Sequence, residues 1–208
     1  MWSSWENPSL LPTPIVRQKN VWQLRFASSA TTLPCVAQLR DYLGQSGQEK
    51  PSSVTETTAK LPEDFIDLLT ELHEAKVEFL LIGGWAVVLY GHVRSTDDID
   101  IFVRATLDNS QRVYEALEKF GAPLSAHKVT AEHFATEGDA YRFGVAPLKA
   151  EVLTKISGVT FDEALQGSGS FDLNGRAIPY IGRAALIRNK KAAGRHKDLA
   201  DVEELERT

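Results

Sequence analysis

The pattern of apolar and polar positions becomes regular only from Leu61 onward. In "LPEDFIDLLTELHEAK", Phe65, Leu68, Leu69 and Leu72 recur at helical spacing, with Pro62 and acidic residues in the first turn, so the segment predicts an amphipathic helix. "VEFLLIG" is a continuous apolar run and reads as a buried strand, and "GWAVVLYG" reads as a short helix closed by Gly91. "DIDIFV" alternates. Asp98, Asp100 and Phe102 fall on one face of the predicted strand, and Ile99, Ile101 and Val103 on the other. "DNSQRVYEALEKFG" predicts a helix opened by Asp or Asn and ended by Gly121. "AYRFGV" and "AEVLTKI" are strand candidates, and "TFDEALQG" a helical turn. "FDLNGRAIPYIG" predicts a hairpin about Asn174-Gly175, a dipeptide suited to the left-handed backbone of a tight turn. Two helical segments, "RAALIRNKKAAG" and "HKDLADVEELE", close the chain. Adjoining strands and helices without internal repeats point to an α+β fold, a mixed β-sheet flanked by helices.

Residues 1 to about 60 read differently. Pro8, Pro12, Pro14, Pro34 and Pro51 punctuate a Ser- and Thr-rich stretch, and "SGQEKPSSVTETTAK" has no periodicity. This composition predicts a low-complexity or disordered N-terminal arm, with "CVAQLRDYLG" as a short helix, ahead of one domain over residues 61–208. Met1 is the only methionine, and the break in composition is what a working start near Val54 would produce.

Composition narrows the function classes. The chain has 208 residues, 43% hydrophobic and 25% charged, which is ordinary for a folded domain. A formal net charge of -5 means that any nucleic-acid contact must use a local patch. Cys35 is the single cysteine, which excludes an internal disulfide and a Cys-based zinc site and fits a cytoplasmic location. No apolar run approaches the ~20 residues of a membrane span, and the N-terminus has no secretory-signal pattern.

The candidate chemistry starts at Asp98 and Asp100. Two carboxylates on one strand face repel unless a positive group lies between them, and a hard divalent cation, Mg²⁺ or Mn²⁺, answers that need. Gly83 and Gly84 stand between a strand and a helix, where a bare backbone either approaches a phosphate or makes a tight turn under the sheet. Glu151 interrupts an apolar strand and is either a third ligand or a solvent-facing residue. Arg183, Arg188, Lys190, Lys191, Arg195 and Lys197 form a basic run with no acid before Asp198. On a helix, Lys190 and Lys191 cannot share a face, and Arg195 lies within one turn of Asp198, close enough to pair with it. The five histidines have no zinc-ligand spacing. Trp85 reads first as core, with base stacking as the other reading; His92 and Asp97 read as turn residues.

"GGWAVVLYGHVRSTDDIDIFV" resembles the nucleotidyltransferase superfamily with a polymerase-β-like palm core, and more closely its AbiEii-type bacterial group, some of whose members are toxins of toxin–antitoxin pairs. Arg94, Thr96, Asp98 and Asp100 match that group's Arg-x-Thr-x-Asp-x-Asp pattern. "GVAPLKAEVLTKISGVTFDEA" matches its later strand, and "LIRNKKAAGRHKDLADVEEL" its C-terminal Lys, Arg and Asp region. The "GGWA" start is also similar to aminoglycoside and lincosamide nucleotidyltransferases, which have a longer spacing before the acidic pair. The resemblance runs from Leu61 to Leu205. It implies a metal at Asp98, Asp100 and Glu151, and triphosphate on Gly83 and Gly84 with Lys190 neutralising it. It also implies nucleotide or structural roles for Arg94, Arg195 and Asp198, and a Thr96 that orients an acid. The implied reaction is metal-dependent transfer of a nucleoside monophosphate from an NTP to an acceptor hydroxyl, with pyrophosphate released. The acceptor is left open among tRNA, a protein and a hydroxylated small molecule. The alternative is a non-catalytic module, part of a toxin–antitoxin pair with a partner protein. Two departures stand out: Glu151 where the group has Asp, and a second Gly where many relatives have Ser.

Overall fold

The computed structural model describes residues 61–92 and 94–207; the expected N-terminal arm with its short helix lies outside the described residues. Helix α1 (Glu63–Glu74) buries Phe65, Leu68, Leu69 and Leu72, the stripe its periodicity predicts, with Pro62 as the cap. Strand β1 (Phe79–Ile82) is buried throughout and runs straight into α2 (Gly83–Leu89). Strand β2 (Asp98–Val103) leads to α3 (Leu107–Phe120), which ends at Gly121 with φ 94°. The cap of α3 is Thr106, not the expected Asp or Asn: its hydroxyl accepts the Asn109 amide at 3.3 Å. Asn109 is used elsewhere. Fully buried, it accepts from the Glu78 amide (2.7 Å) and donates to the carbonyls of Glu78 (3.0 Å) and Arg104 (2.9 Å). It thereby ties the start of β1 to the end of β2 and satisfies backbone groups that the strand ends leave open.

Strands β3 (Ala140–Val145) and β4 (Leu148–Leu153) form an antiparallel hairpin. β4 begins earlier and ends earlier than the expected "AEVLTKI", because the hairpin pairs it from Leu148 and the chain turns inward at Thr154. The buried Thr154 hydroxyl donates to the Thr136 carbonyl (2.7 Å) and accepts from the Gly138 amide (3.1 Å), which fixes that turn. A short helix α4 (Phe161–Leu165) opens with a Thr160/Glu163 capping box. The predicted hairpin forms as β5 (Gly169–Leu173) and β6 (Arg176–Tyr180), with positive φ at both Asn174 and Gly175. Helices α5 (Arg183–Ala193) and α6 (His196–Arg207) complete the chain, tied by Arg183 Nε donating to the Leu205 carbonyl at 3.0 Å.

The six strands make one mixed sheet in the order β3-β4-β2-β1-β6-β5, so the α+β architecture is as the sequence pattern indicates. The face of β2 that carries Asp98 and Asp100 continues into Phe102, which is buried with Leu80, Ala86, Leu186 and Leu205. One end of that face is core, and the other end opens as a carboxylate pair. Among the described residues no helix is long and apolar enough to cross a membrane.

Candidate active site

Strands β1, β2, β3 and β4 and helices α2, α5 and α6 meet at a cavity of about 800 Å³. All ten residues singled out from the sequence line it: Gly83, Gly84, Arg94, Thr96, Asp98, Asp100, Glu151, Lys190, Arg195 and Asp198. Side-chain crowding accounts for the glycine pair. A Cβ on Gly83 would lie 1.9 Å from Asp100 Oδ2, and one on Gly84 would lie 2.7 Å from Thr96 Oγ1. Gly83 also has φ 66°, a backbone that side chains rarely adopt. The turn and the carboxylate therefore form one packed unit.

Register supplies the third acid. β2 pairs in parallel with β4, so Glu151 is the direct partner of Asp100. The side-chain carboxylates of Asp98 and Asp100 make no hydrogen bond or ion pair with another described residue. The Asp100 carboxyl is pushed above its ordinary range, first by burial, then by the negative charges of Glu151 and Asp98; Lys190 and Arg195 oppose this only in part. Glu151 itself is engaged. Arg142 Nη2, from the cross-strand partner position on β3, sits 3.0 and 2.9 Å from its two oxygens.

Hard carboxylate oxygens, the repulsion felt at Asp100, and the lack of an ion pair to Asp98 or Asp100 among the described residues all suit a divalent ion. In donor chemistry the set fits Mg²⁺ or Mn²⁺. As they stand, however, no three such side chains among the described residues are drawn together into a metal-holding group. Arg142 occupies the oxygens that Glu151 would contribute.

The C-terminal helices contribute a different kind of cluster. Lys190 is only 3% exposed, and its Nζ lies 2.7 Å from Asp201 Oδ2 and 3.3 Å from Asp198 Oδ1. Arg94 pairs with the same Asp201, and Arg195 with Asp198. Burial raises the Asp198 carboxyl, but the Arg195 hydrogen bond and the Lys190 charge outweigh it, so its pKa is lowered. Lys190, expected to meet the triphosphate, therefore has its charge taken up by two aspartates. Of the two roles left open for Arg94, the anchor is the one observed. Thr96 does not orient an acidic side chain: its hydroxyl donates to the Asp98 backbone carbonyl at 3.2 Å. The Arg195–Asp198 pair forms as the spacing allowed.

Sequence reasoning missed Arg142 and Lys155, placed Lys197 only in the basic run, and gave Asp201, the last residue of the C-terminal motif, no role of its own. Asp201 had a signal, since it lies one turn after Asp198 on the same helical stripe. Arg142 had none, because only strand pairing brings it to Glu151. Lys155 and Lys197 are exposed, line the cavity and have no ion pair among the described residues. Trp85 is not a lining residue. It is buried in an edge-on contact with Phe65, ring centroids 6.3 Å apart, which is the core reading.

The aminoglycoside-2''-adenylyltransferase family model matches residues 64–205. The match bears out the nucleotidyltransferase superfamily and does not confirm the AbiEii-type group. No curated protein matches the sequence. Among solved structures, a lincosamide antibiotic adenylyltransferase, LnuA, with lincomycin bound is 18% identical; the alignment covers 70% of this chain and 96% of that one, with a TM-score of 0.46. The ANT(2")-Ia structure in complex with adenylyl-2"-tobramycin is 17% identical, covering 73% of this chain and 88% of that one, with a TM-score of 0.46. An antigenic nucleotidyltransferase-like protein from Paracoccidioides brasiliensis is 16% identical, covering 75% and 78%, with a TM-score of 0.42.

Proposed function

The chain belongs to the aminoglycoside-2''-adenylyltransferase family and is a nucleotidyltransferase, and from that premise we propose a divalent-cation-dependent transfer of a nucleoside monophosphate, AMP from ATP, to a hydroxyl of a small molecule. The observation that carries the proposal is the register of Asp98, Asp100 and Glu151 beside the Gly83-Gly84 turn in one cavity. Asp98, Asp100 and Glu151 are the residues that would hold Mg²⁺ or Mn²⁺. When bound, such a cation neutralises phosphate charge and polarises the phosphorus under attack.

The chain's own residues do the rest. The backbone amides of the Gly83-Gly84 turn, at the start of α2 and beside Asp100, would meet the phosphates. Lys155 and Lys197, which have no ion pair among the described residues, would take the triphosphate charge that Lys190 cannot. Arg94, Lys190, Arg195 and Asp198 act from behind, by fixing α5 and α6 against the strand ends. Thr96 fills the space over Gly84 and holds the backbone of Asp98. The acceptor oxygen attacks the α-phosphorus, the bond to the β-phosphate bridging oxygen breaks, and pyrophosphate leaves. Glu151, once clear of Arg142, is placed to receive the hydroxyl proton.

The test is to incubate the full chain with Mg²⁺ and ATP carrying either an α- or a γ-phosphate label, against a panel of aminoglycosides, lincosamides and tRNA. The expected result is α-label on a small hydroxylated acceptor, with matching pyrophosphate, abolished by a chelator. Label on tRNA alone would move the acceptor to nucleic acid. Absence of metal-dependent ATP binding by calorimetry would leave a non-catalytic module.

A further inference from the structure

The strand cluster holds a contradiction that its geometry resolves. Asp98, Asp100 and Glu151 are adjacent in register, yet they are not gathered into a metal-holding group. One side chain competes for the third acid. Arg142 Nη2 donates to both oxygens of Glu151, at 3.0 and 2.9 Å, and so engages a lone pair on each. The two partners are unequal. Glu151 is 23% exposed and set in the cavity, whereas Arg142 is 64% exposed on the edge strand β3. An ion pair open to solvent on one side is weak and easily exchanged. A dication beside two further carboxylates is the stronger competitor for the same oxygens.

Resting on the reading of Asp98, Asp100 and Glu151 as a divalent-cation site, we infer that Arg142 is a positioning residue that holds Glu151 out of that site until a cation displaces it. Its exposed side chain leaves without disturbing the core, so exchange needs only a rotation at the cavity rim. Arg142 therefore sets how tightly the empty protein takes its cation.

The test is Mn²⁺ affinity, read by EPR or calorimetry on the full chain without nucleotide, in a double-mutant cycle of Arg142→Gln and Glu151→Gln. Arg142→Gln is expected to tighten Mn²⁺ by roughly two- to fivefold, the range in which an exposed pair contributes. On the Glu151→Gln background the same substitution is expected to lose most of that gain. An equal gain on both backgrounds would mean simple charge repulsion and would overturn the inference, as would no gain on the wild-type background. Asp98→Asn/Asp100→Asn separates the two levels. If this variant abolishes Mn²⁺ binding while Arg142→Gln changes nothing, the cation site stands and the role of Arg142 fails. If it leaves Mn²⁺ binding intact, the cation site itself is misplaced.

Discussion

Lys190, Asp198 and Asp201 on the C-terminal helices, and Asp98, Asp100 and Glu151 on the strands, are two charged clusters lining one cavity. They differ in balance. The helix cluster sets Lys190, Arg94 and Arg195 against two aspartates, is mostly buried, and lowers the pKa of Asp198. The strand cluster sets three carboxylates against the exposed Arg142 and raises the pKa of Asp100. A buried cluster in which each carboxylate meets cations is complete in itself and locks elements together. An unbalanced one at a cavity is incomplete without something from outside. The difference separates a cluster that is complete in itself from one that is not, although both looked like ligand residues in the sequence.

The largest expected effect tests the strand cluster. Asp100→Asn is expected to lower nucleotidyl transfer on the order of 10³-fold or more, because it removes a ligand from chemistry worth several kcal/mol. The fold should survive with an unchanged or higher Tm, since one repelling charge is gone. Loss of activity with a lowered Tm would place Asp100 among the structural charges instead.

Next comes the helix cluster. Lys190→Ala leaves Asp198 and Asp201 without the ammonium between them and is expected to destabilise the protein by about 3–5 kcal/mol in urea unfolding. A change below about 1 kcal/mol would erase the distinction between the clusters.

The two aspartates should also respond oppositely to pH. Asp100 has a raised pKa, so the folded state binds its proton more tightly than the unfolded chain does. Its contribution to stability is present at low pH and is lost as pH rises through the folded-state pKa. Asp198 has a lowered pKa, so its contribution is present above the ordinary carboxylate range and is lost as pH falls through the folded-state value. In Tm profiles from about pH 3 to pH 7, Asp100→Asn should remove a loss on the alkaline side of this window and Asp198→Asn a loss on the acid side. Parallel profiles would contradict the comparison.

The smallest effect belongs to the neighbour of Lys190. Lys191 is exposed and pairs with an exposed Glu206 at 2.6 Å, so Lys191→Ala should change stability by no more than about 0.5 kcal/mol.

Most of the fold was legible because its signals are local. The α1 stripe, the alternation of β2, the Asn174-Gly175 turn and the Gly121 stop each depend on residues within a turn or a strand of one another. The cap of α3 was misread for the same reason: Asn109 has the right chemistry for a cap, but its amide is drawn to Glu78 and Arg104 by tertiary contacts. Lys190 is four residues after Leu186 and belongs to the buried stripe of α5, a spacing visible in the sequence but outweighed there by the resemblance to a nucleotide-binding lysine.

By itself, then, the sequence determined most of the elements, the mixed α+β class and ten of the residues that line the cavity, since periodicity and turn chemistry act over short distances. Which of those residues are neutralised was decided only by the tertiary structure. The parallel pairing of β2 with β4 brought Glu151 to Asp100, the β3 hairpin brought Arg142 to Glu151, and the packing of α6 on α5 enclosed Lys190. Charge balance is a property of groups within a few ångströms of one another in space, and no local pattern along the chain records it.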